Sequence, residues 1–309
     1  MAENKAKKKK QKGEKSDAYL VKDVEPIQYF MTGLLGSRIE NEAVCKFDVE
    51  MSALEAYIEK KNKENPEFKY TFYHVFCAAL TRTIAERPRM NYFIRNGRYY
   101  ERKWISFASI AKKMKADGAE EGLIIIKYDK DSDVSPIEQM HSEICKQVYQ
   151  IRKSTESKDN TTDFMGKLVS LPGFIYKLIL RFILWSDRHG MLPMGMADMS
   201  PYAQTCFISN LGSIKMNADY HHLSNFGSGS VFALIGRKET KPVFKEDGTY
   251  EMKTFLPISF TIDERIADGV YFNNTIRILK AYMMRPELLE LPANQSIDIR
   301  PVEEELGLL

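Results

Sequence analysis

The stretch ISFTIDERIADGVYFNN, Ile258 to Asn274, decides the fold. Ile258, Phe260 and Ile262 alternate, which gives a β-strand one apolar face. Glu264 falls at the end of that strand. Asp268 precedes Gly269 and stands where it can cap a helix and complement its dipole. In that helix Phe272, Ile276, Leu279 and Met283 recur at helical spacing until Pro286 stops it. The segment reads strand, tight turn, helix, with Glu264 on a rigid corner that suits a reacting group.

Outward from this corner, QTCFISNLGSI, SVFALIGRKETKPVF and FLPISFTID are β-like runs separated by Gly, Asn and Asp. Nearer the N-terminus, AVCKFDVEM alternates as a strand, and Ser52-Ala53-Leu54-Glu55 reads as a capping box opening a helix. A second helix starts at Thr71, carries Phe72, Phe76, Leu80 and Ile84 on one face, and ends at Pro88. His74 within it is expected to be a packed core residue. Asn96-Gly97 marks a type I′ hairpin between two aromatic-rich strands. WISFASIAKKM and GLIIIKYD follow as strands. Ser135-Pro136-Ile137-Glu138 opens a helix with proline at its first position.

A polar break at residues 153–164 precedes LVSLPGFIYKLILRFILWSDRHG. That run is strongly apolar from Phe174 to Trp185, yet Lys177 and Arg181 interrupt it one turn apart, so it is too short and too charged to span a membrane. Three readings are open. It is a buried or interface helix, or a lid over a greasy channel lined by Phe174, Leu178 and Phe182, or an interfacial helix whose cations face lipid headgroups.

The chain of 309 residues suffices for one large domain or two small ones, and 44% hydrophobic with 28% charged residues is the range of a soluble globular protein. Residues 1–17 hold seven lysines against three acids, leaving that end at +4 and the rest near −1. The body therefore lacks the broad basic surface of a nucleic-acid binder, and no nucleic-acid partner is expected. The lysine-rich tail, residues 1–20, is too polar to fold alone. It reads as a solubilising tail, or as a weak contact with an anionic membrane. The cysteines at 45, 77, 145 and 206 are too scattered for a metal site or a small disulfide framework, and no apolar leader follows the basic start. A reducing cytoplasm is the expected location. No Walker loop, G-x-G-x-x-G or zinc signature is present, so no tightly bound cofactor or metal is expected.

The pattern ERIADG resembles the H-x-x-x-D-G motif of chloramphenicol acetyltransferase and of the catalytic domain of dihydrolipoamide acyltransferases of 2-oxoacid dehydrogenase complexes. FDVEMSALEAYIEKKN, LIIIKYDKDSDVSPIEQMHSEI, TCFISNLGSI and MRPELLELP resemble further segments of those domains in the same order. The resemblance covers residues 24–292, with an insertion at 155–195 and a C-terminal extension at 293–309. It implies an α/β fold of the two-layer chloramphenicol acetyltransferase type: a mixed sheet with helices, assembled as a homotrimer with active sites between subunits. It implies acyl transfer from a thioester such as acyl-CoA. Ser209 matches the serine that steadies the tetrahedral oxyanion, and Asp268 matches the motif's Asp or Asn. Arg38 is the candidate for the arginine that supports that Asp.

The base departs from the pattern, because Glu264 stands in the histidine's place. An ordinary Glu, with pKa ~4.3 against ~6.5 for imidazole, is about two units the poorer base, and needs burial to approach neutrality. Glu264 is thus either the base or acceptor-orienting group, or a non-catalytic residue paired with Arg265 or another cation. In the second case the protein is an inactive relative that binds acyl-CoA, lipid or a protein. His221 and His222, shortly after the Ser209 strand, are the candidate replacement histidines or channel residues; a structural, solvent-facing pair is the simpler reading.

Overall fold

The structure, a computed structural model, describes residues 14–112, 121–153, 166–192 and 200–309. In chain order the elements are β1 (Ala18–Leu20), α1 (Pro26–Leu34), β2 (Glu42–Glu50), α2 (Ser52–Lys63), α3 (Phe72–Glu86), β3 (Tyr92–Arg95), β4 (Arg98–Arg102), β5 (Ile105–Lys112) and β6 (Glu121–Tyr128). They continue with α4 (Pro136–Lys153), α5 (Gly173–Arg188), β7 (Cys206–Asn210), β8 (Val231–Ile235), β9 (Glu239–Phe244), β10 (Tyr250–Asp263), α6 (Gly269–Met284) and α7 (Arg300–Glu305).

β10 organises a seven-stranded sheet in the order β2-β10-β8-β7-β5-β6, with β9 folded back on β10 as a hairpin. The sheet is mixed: β7 runs parallel to both β5 and β8, and the other pairs are antiparallel. Alternation divides its faces. Cys206, Ile208, Val231, Ala233, Ile235, Ile258, Phe260 and Ile262 turn toward the helices and merge with Phe76, Leu80, Met140 and Leu279 in one core. Each such large apolar side chain contributes roughly 1.5–3 kcal/mol by leaving water. On the other face Phe207, Phe232 and Leu234 pack under Leu211, Ala218 and Leu223.

Two glycines allow close crossings where β7 ends. A Cβ on Gly212 would lie 2.4 Å from the Gly236 carbonyl oxygen, and one on Gly236 would lie 2.8 Å from the Ala218 nitrogen. No other residue fits such backbone contact. At the β3–β4 turn Asn96 and Gly97 take φ +51° and +67°, the type I′ conformation expected of that pair.

Several expectations are corrected. Residues 18–20, placed in the disordered tail, form β1 against β4, because Ala18 and Leu20 pack on Phe93 and Tyr100. Ser52 does not cap α2: it lies inside the helix, and its hydroxyl donates to Glu50 at 2.5 Å. The expected extension after 292 packs against the body. Glu303, fully buried on α7, accepts from Arg277 Nε at 2.7 Å, and Ile299 joins the core.

At the start of α3 the Thr71 N–H donates to His74 Nδ1 at 3.0 Å, half of a capping box. The ring packs against Tyr70 and His141. Burial, and to a smaller extent the neighbouring His141, pushes the His74 pKa down to about 4. The folded value lies below the unfolded ~6.5, so this site's stabilisation is present above pH 6.5 and is lost as pH falls through about 4. We expect His74→Gln, which keeps the cap acceptor without the charge, to lose about 3 kcal/mol less than the parent on going from pH 7 to below 4. Urea unfolding at the two pH values measures the difference, and equal losses in both proteins would exclude it.

Candidate functional site

The corner after β10 forms as one 3₁₀ turn, Glu264–Ile266, followed by α6. Asp268 caps that helix, its side chain accepting from the Tyr271 N–H at 2.8 Å. Glu264 is exposed and makes no hydrogen bond or ion pair among the described residues. Glu264 and Asp268 together line a cavity of about 520 Å³ whose other walls are Cys45, Lys46, Phe47, Phe272, Asn273 and Lys280. Two carboxylates and the Lys280 side chain thus border one space, while the Lys46 ammonium pairs with Asp219 at 3.1 Å. The Lys280 ammonium also lies 5.7 Å from the Phe47 ring centre.

The expected pairing of Glu264 with Arg265 does not occur. Arg265 turns inward and grips Asp263 with a fork, Nε to Oδ1 and Nη2 to Oδ2, both at 2.8 Å. Its Nη1 donates to the Leu35 carbonyl at 2.9 Å, tying the turn to the end of α1. Asp263 is 0% exposed, so the pair is buried. Arg38, expected to support Asp268, instead approaches Asp263, with Nε 3.7 Å from Oδ2. The remainder of its guanidinium donates to the carbonyls of Ser224 and Gly227. Burial lowers the Arg38 pKa, Asp263 raises it, and Arg265 lowers it again. The physical reason is register: Asp263 and Arg265 both turn inward, while Glu264 and Asp268 turn to solvent. An acid and a base two positions apart at the end of an apolar strand were the signal of this ion pair, and the sequence reading passed over it.

Ser209 lies on β7, opposite Leu234 of β8, which lies opposite Ser259 of β10. Glu264 is five positions beyond Ser259 along the chain. With a rise of ~3.3 Å per residue and strands ~4.8 Å apart, Ser209 and Glu264 are separated by roughly 15–20 Å within one chain. The structure therefore brings Glu264 and Asp268 together and leaves Ser209 on a different part of the sheet. Ser209 shares the face of Phe207, away from the helices, and its hydroxyl makes no hydrogen bond among the described residues.

His221 and His222 cover that same face. The His221 ring stacks on Phe232, centroids 3.9 Å apart, and Phe232 stacks on Phe207. His221 Nδ1 donates to the His222 carbonyl at 2.7 Å, and His222 Nδ1 to the Leu223 carbonyl at 2.8 Å. They form a structural stack, and neither lines the Glu264 cavity. Phe174, Leu178 and Phe182, expected to line a channel, project to solvent from α5 at 76%, 68% and 65% exposure. The helix is anchored by its C-terminal end, where buried Asp187 accepts from the Gly227 N–H at 2.8 Å. No helix among the described residues is long and apolar enough to cross a membrane, and no three His, Cys, Asp or Glu side chains among them could hold a metal.

Comparison with known proteins places this geometry. The sequence model of the 2-oxoacid dehydrogenases acyltransferase (catalytic domain) family matches residues 195–291. No curated protein matches the chain. Among solved structures, a probable dihydrolipoamide acetyltransferase from Listeria monocytogenes is similar at 16% identity and TM-score 0.55, covering 86% of this chain and 94% of its own. The Azotobacter vinelandii dihydrolipoamide acetyltransferase, studied for the role of a serine, a histidine and an asparagine in its catalytic mechanism, is similar at 14% identity and TM-score 0.55. The shared coverage there is 88% and 94%. A chloramphenicol acetyltransferase is similar at 11% identity and TM-score 0.52, over 86% of this chain and 99% of its own. The chain thus has the chloramphenicol acetyltransferase-like fold, and its last third carries the sequence pattern of the acyltransferase catalytic domain.

Proposed function

We propose that the protein is an acyltransferase that moves an acyl group from acyl-CoA to a nucleophilic acceptor, in a homotrimer whose sites lie between subunits. The observation that carries this reading is the exposed Glu264 at the rim of a cavity, beside the helix-capping Asp268, within the residues that the acyltransferase family model matches. The Glu264 carboxylate takes the proton from the acceptor as the acceptor attacks the thioester carbon. Ser209 of a second subunit donates to the oxyanion that forms, and such a donor contributes about 10²–10³ in rate. Collapse of the intermediate expels the CoA thiolate, which takes up from Glu264 the proton that the acceptor gave. Glu264 is exposed in the single chain, so the desolvation that would raise its basicity has to come from the neighbouring subunit. Asp268 and the buried Asp263–Arg265 pair act through position: they hold the turn.

The test is calorimetric titration with acetyl-CoA and a longer acyl-CoA, with free thiol followed in the same samples over a panel of amine, hydroxyl and thiol acceptors. Binding with thiol release that Glu264→Ala abolishes is the expected result. Turnover unchanged in Glu264→Ala removes Glu264 as the base. Binding without release for any acceptor replaces the enzyme with an acyl-CoA-binding scaffold.

A second role rests on α5. Its outward stripe of Phe174, Leu178 and Phe182 is flanked by exposed Lys177 and Arg181, the arrangement of a helix that lies in an anionic lipid surface. The lysine-rich tail would add electrostatic attraction to that contact.

A further inference from the structure

A second cavity, of about 460 Å³, lies where five distant segments meet. Its walls include Arg38, Arg95, Arg188 and Arg265, with Thr32 and Ser37 between them. Neither Glu264 nor Asp268 lines it. Its volume falls in the range of small-molecule sites.

The charges there do not balance. Among the described residues Asp187 is the one carboxylate on the cavity wall, and it is already held by the Gly227 N–H. Burial raises the Asp187 pKa. Behind the wall, Asp263 is shared between Arg265 and Arg38, and Asp17 pairs with Arg95 at 3.1 Å. Among the described residues three acids therefore answer four guanidinium groups, and buried Arg102 adds a fifth cation whose pKa burial, with Arg38 and Arg95, lowers to about 9.

Two arginines have capacity left. Arg38 is 5% exposed, and its buried Nε, 3.7 Å from Asp263 Oδ2, makes no hydrogen bond. Arg188, on the exposed side, makes no hydrogen bond or close ion pair among the described residues. A buried polar donor that makes no hydrogen bond is costly, so a cluster of guanidinium groups around an open space is a poor resting state unless an anion completes it. Guanidinium groups match phosphate oxygens in both geometry and charge.

We propose that this arginine-lined cavity binds a soluble small molecule through its phosphate or diphosphate group. The site is separate from the Glu264 cavity, and it stands or falls independently of acyl transfer.

The experiment is calorimetric titration of the full chain with inorganic pyrophosphate, at constant ionic strength set with chloride. Saturable binding is expected. Arg188→Gln, at an exposed position that leaves the core intact, should weaken it at least about tenfold, the effect of one charge-assisted hydrogen bond. Lys63→Gln, a charge removed from the exposed end of α2, should leave it unchanged. No saturable binding would overturn the proposal, and so would binding that Arg188→Gln leaves intact or that Lys63→Gln weakens equally. A parallel arm uses phosphatidylserine vesicles. Vesicle binding that needs Arg188, with no pyrophosphate binding, would overturn the soluble ligand in favour of a lipid headgroup.

Discussion

Replacing Asp263 with asparagine is expected to destabilise the protein by about 3–5 kcal/mol, the usual cost of removing one partner from a buried ion pair. The carboxylate is 0% exposed and accepts the bidentate fork of Arg265 while Arg38 approaches from the other side. Asparagine preserves the shape but leaves two buried guanidinium groups with no compensating charge. Removing Arg265 as well should recover part of the loss, because the second change takes away one of the stranded charges. Urea unfolding of Asp263→Asn and of the Asp263→Asn/Arg265→Gln double variant would show this. A loss below about 1 kcal/mol in the single variant would mean that the pair is not what holds the turn. Because Glu264 and Asp268 sit on that turn, the same variant should lose cavity geometry even under conditions where it remains folded.

The second expectation concerns two variants that are each inactive but work together. If Glu264 of one subunit meets Ser209 of its neighbour, Glu264→Gln should lower turnover by about 10²–10⁴ and Ser209→Ala by about 10²–10³. Subunits of the two variants, unfolded together and reassembled in equal amounts, should then regain activity. In a ring of three, about a quarter of the interfaces would combine an intact Glu264 with an intact Ser209. A site contained within one chain cannot be rescued in this way, and a mixture as inactive as its components would refute the shared site. The roughly 15–20 Å estimated within one chain is what makes the experiment decisive.

Much of the fold was legible in local pattern. The alternation of Ile258, Phe260 and Ile262 and the helical spacing of Phe272, Ile276 and Leu279 both survive, with all of them buried except Ile276, which is half-buried. Asn96-Gly97 forms its hairpin and Asp268 its cap, because these features depend on a few neighbouring residues. The site was legible in part. Glu264 and Asp268 line one cavity, whereas Lys46 and Lys280, on separate elements, gave no signal that they would join them. α5 shows the limit of composition as a guide. Its apolar run left open a buried or interface helix, a channel lid and a lipid-facing helix, and within one chain Phe174, Leu178 and Phe182 face outward while the end near Asp187 meets the body.

The sequence by itself determined the strand, turn and helix around Glu264, the order of elements, and the resemblance that anticipated the mixed sheet, because periodicity and turn chemistry act over a few residues. Only the tertiary structure decided that Arg38 approaches Asp263 rather than Asp268, and that Arg38, Arg95, Arg188 and Arg265 surround one cavity. It alone placed Ser209 far along the sheet from Glu264. These contacts join residues far apart in the chain. Their partners are chosen by strand register and by the balance of buried charge, and neither is written in any local stretch.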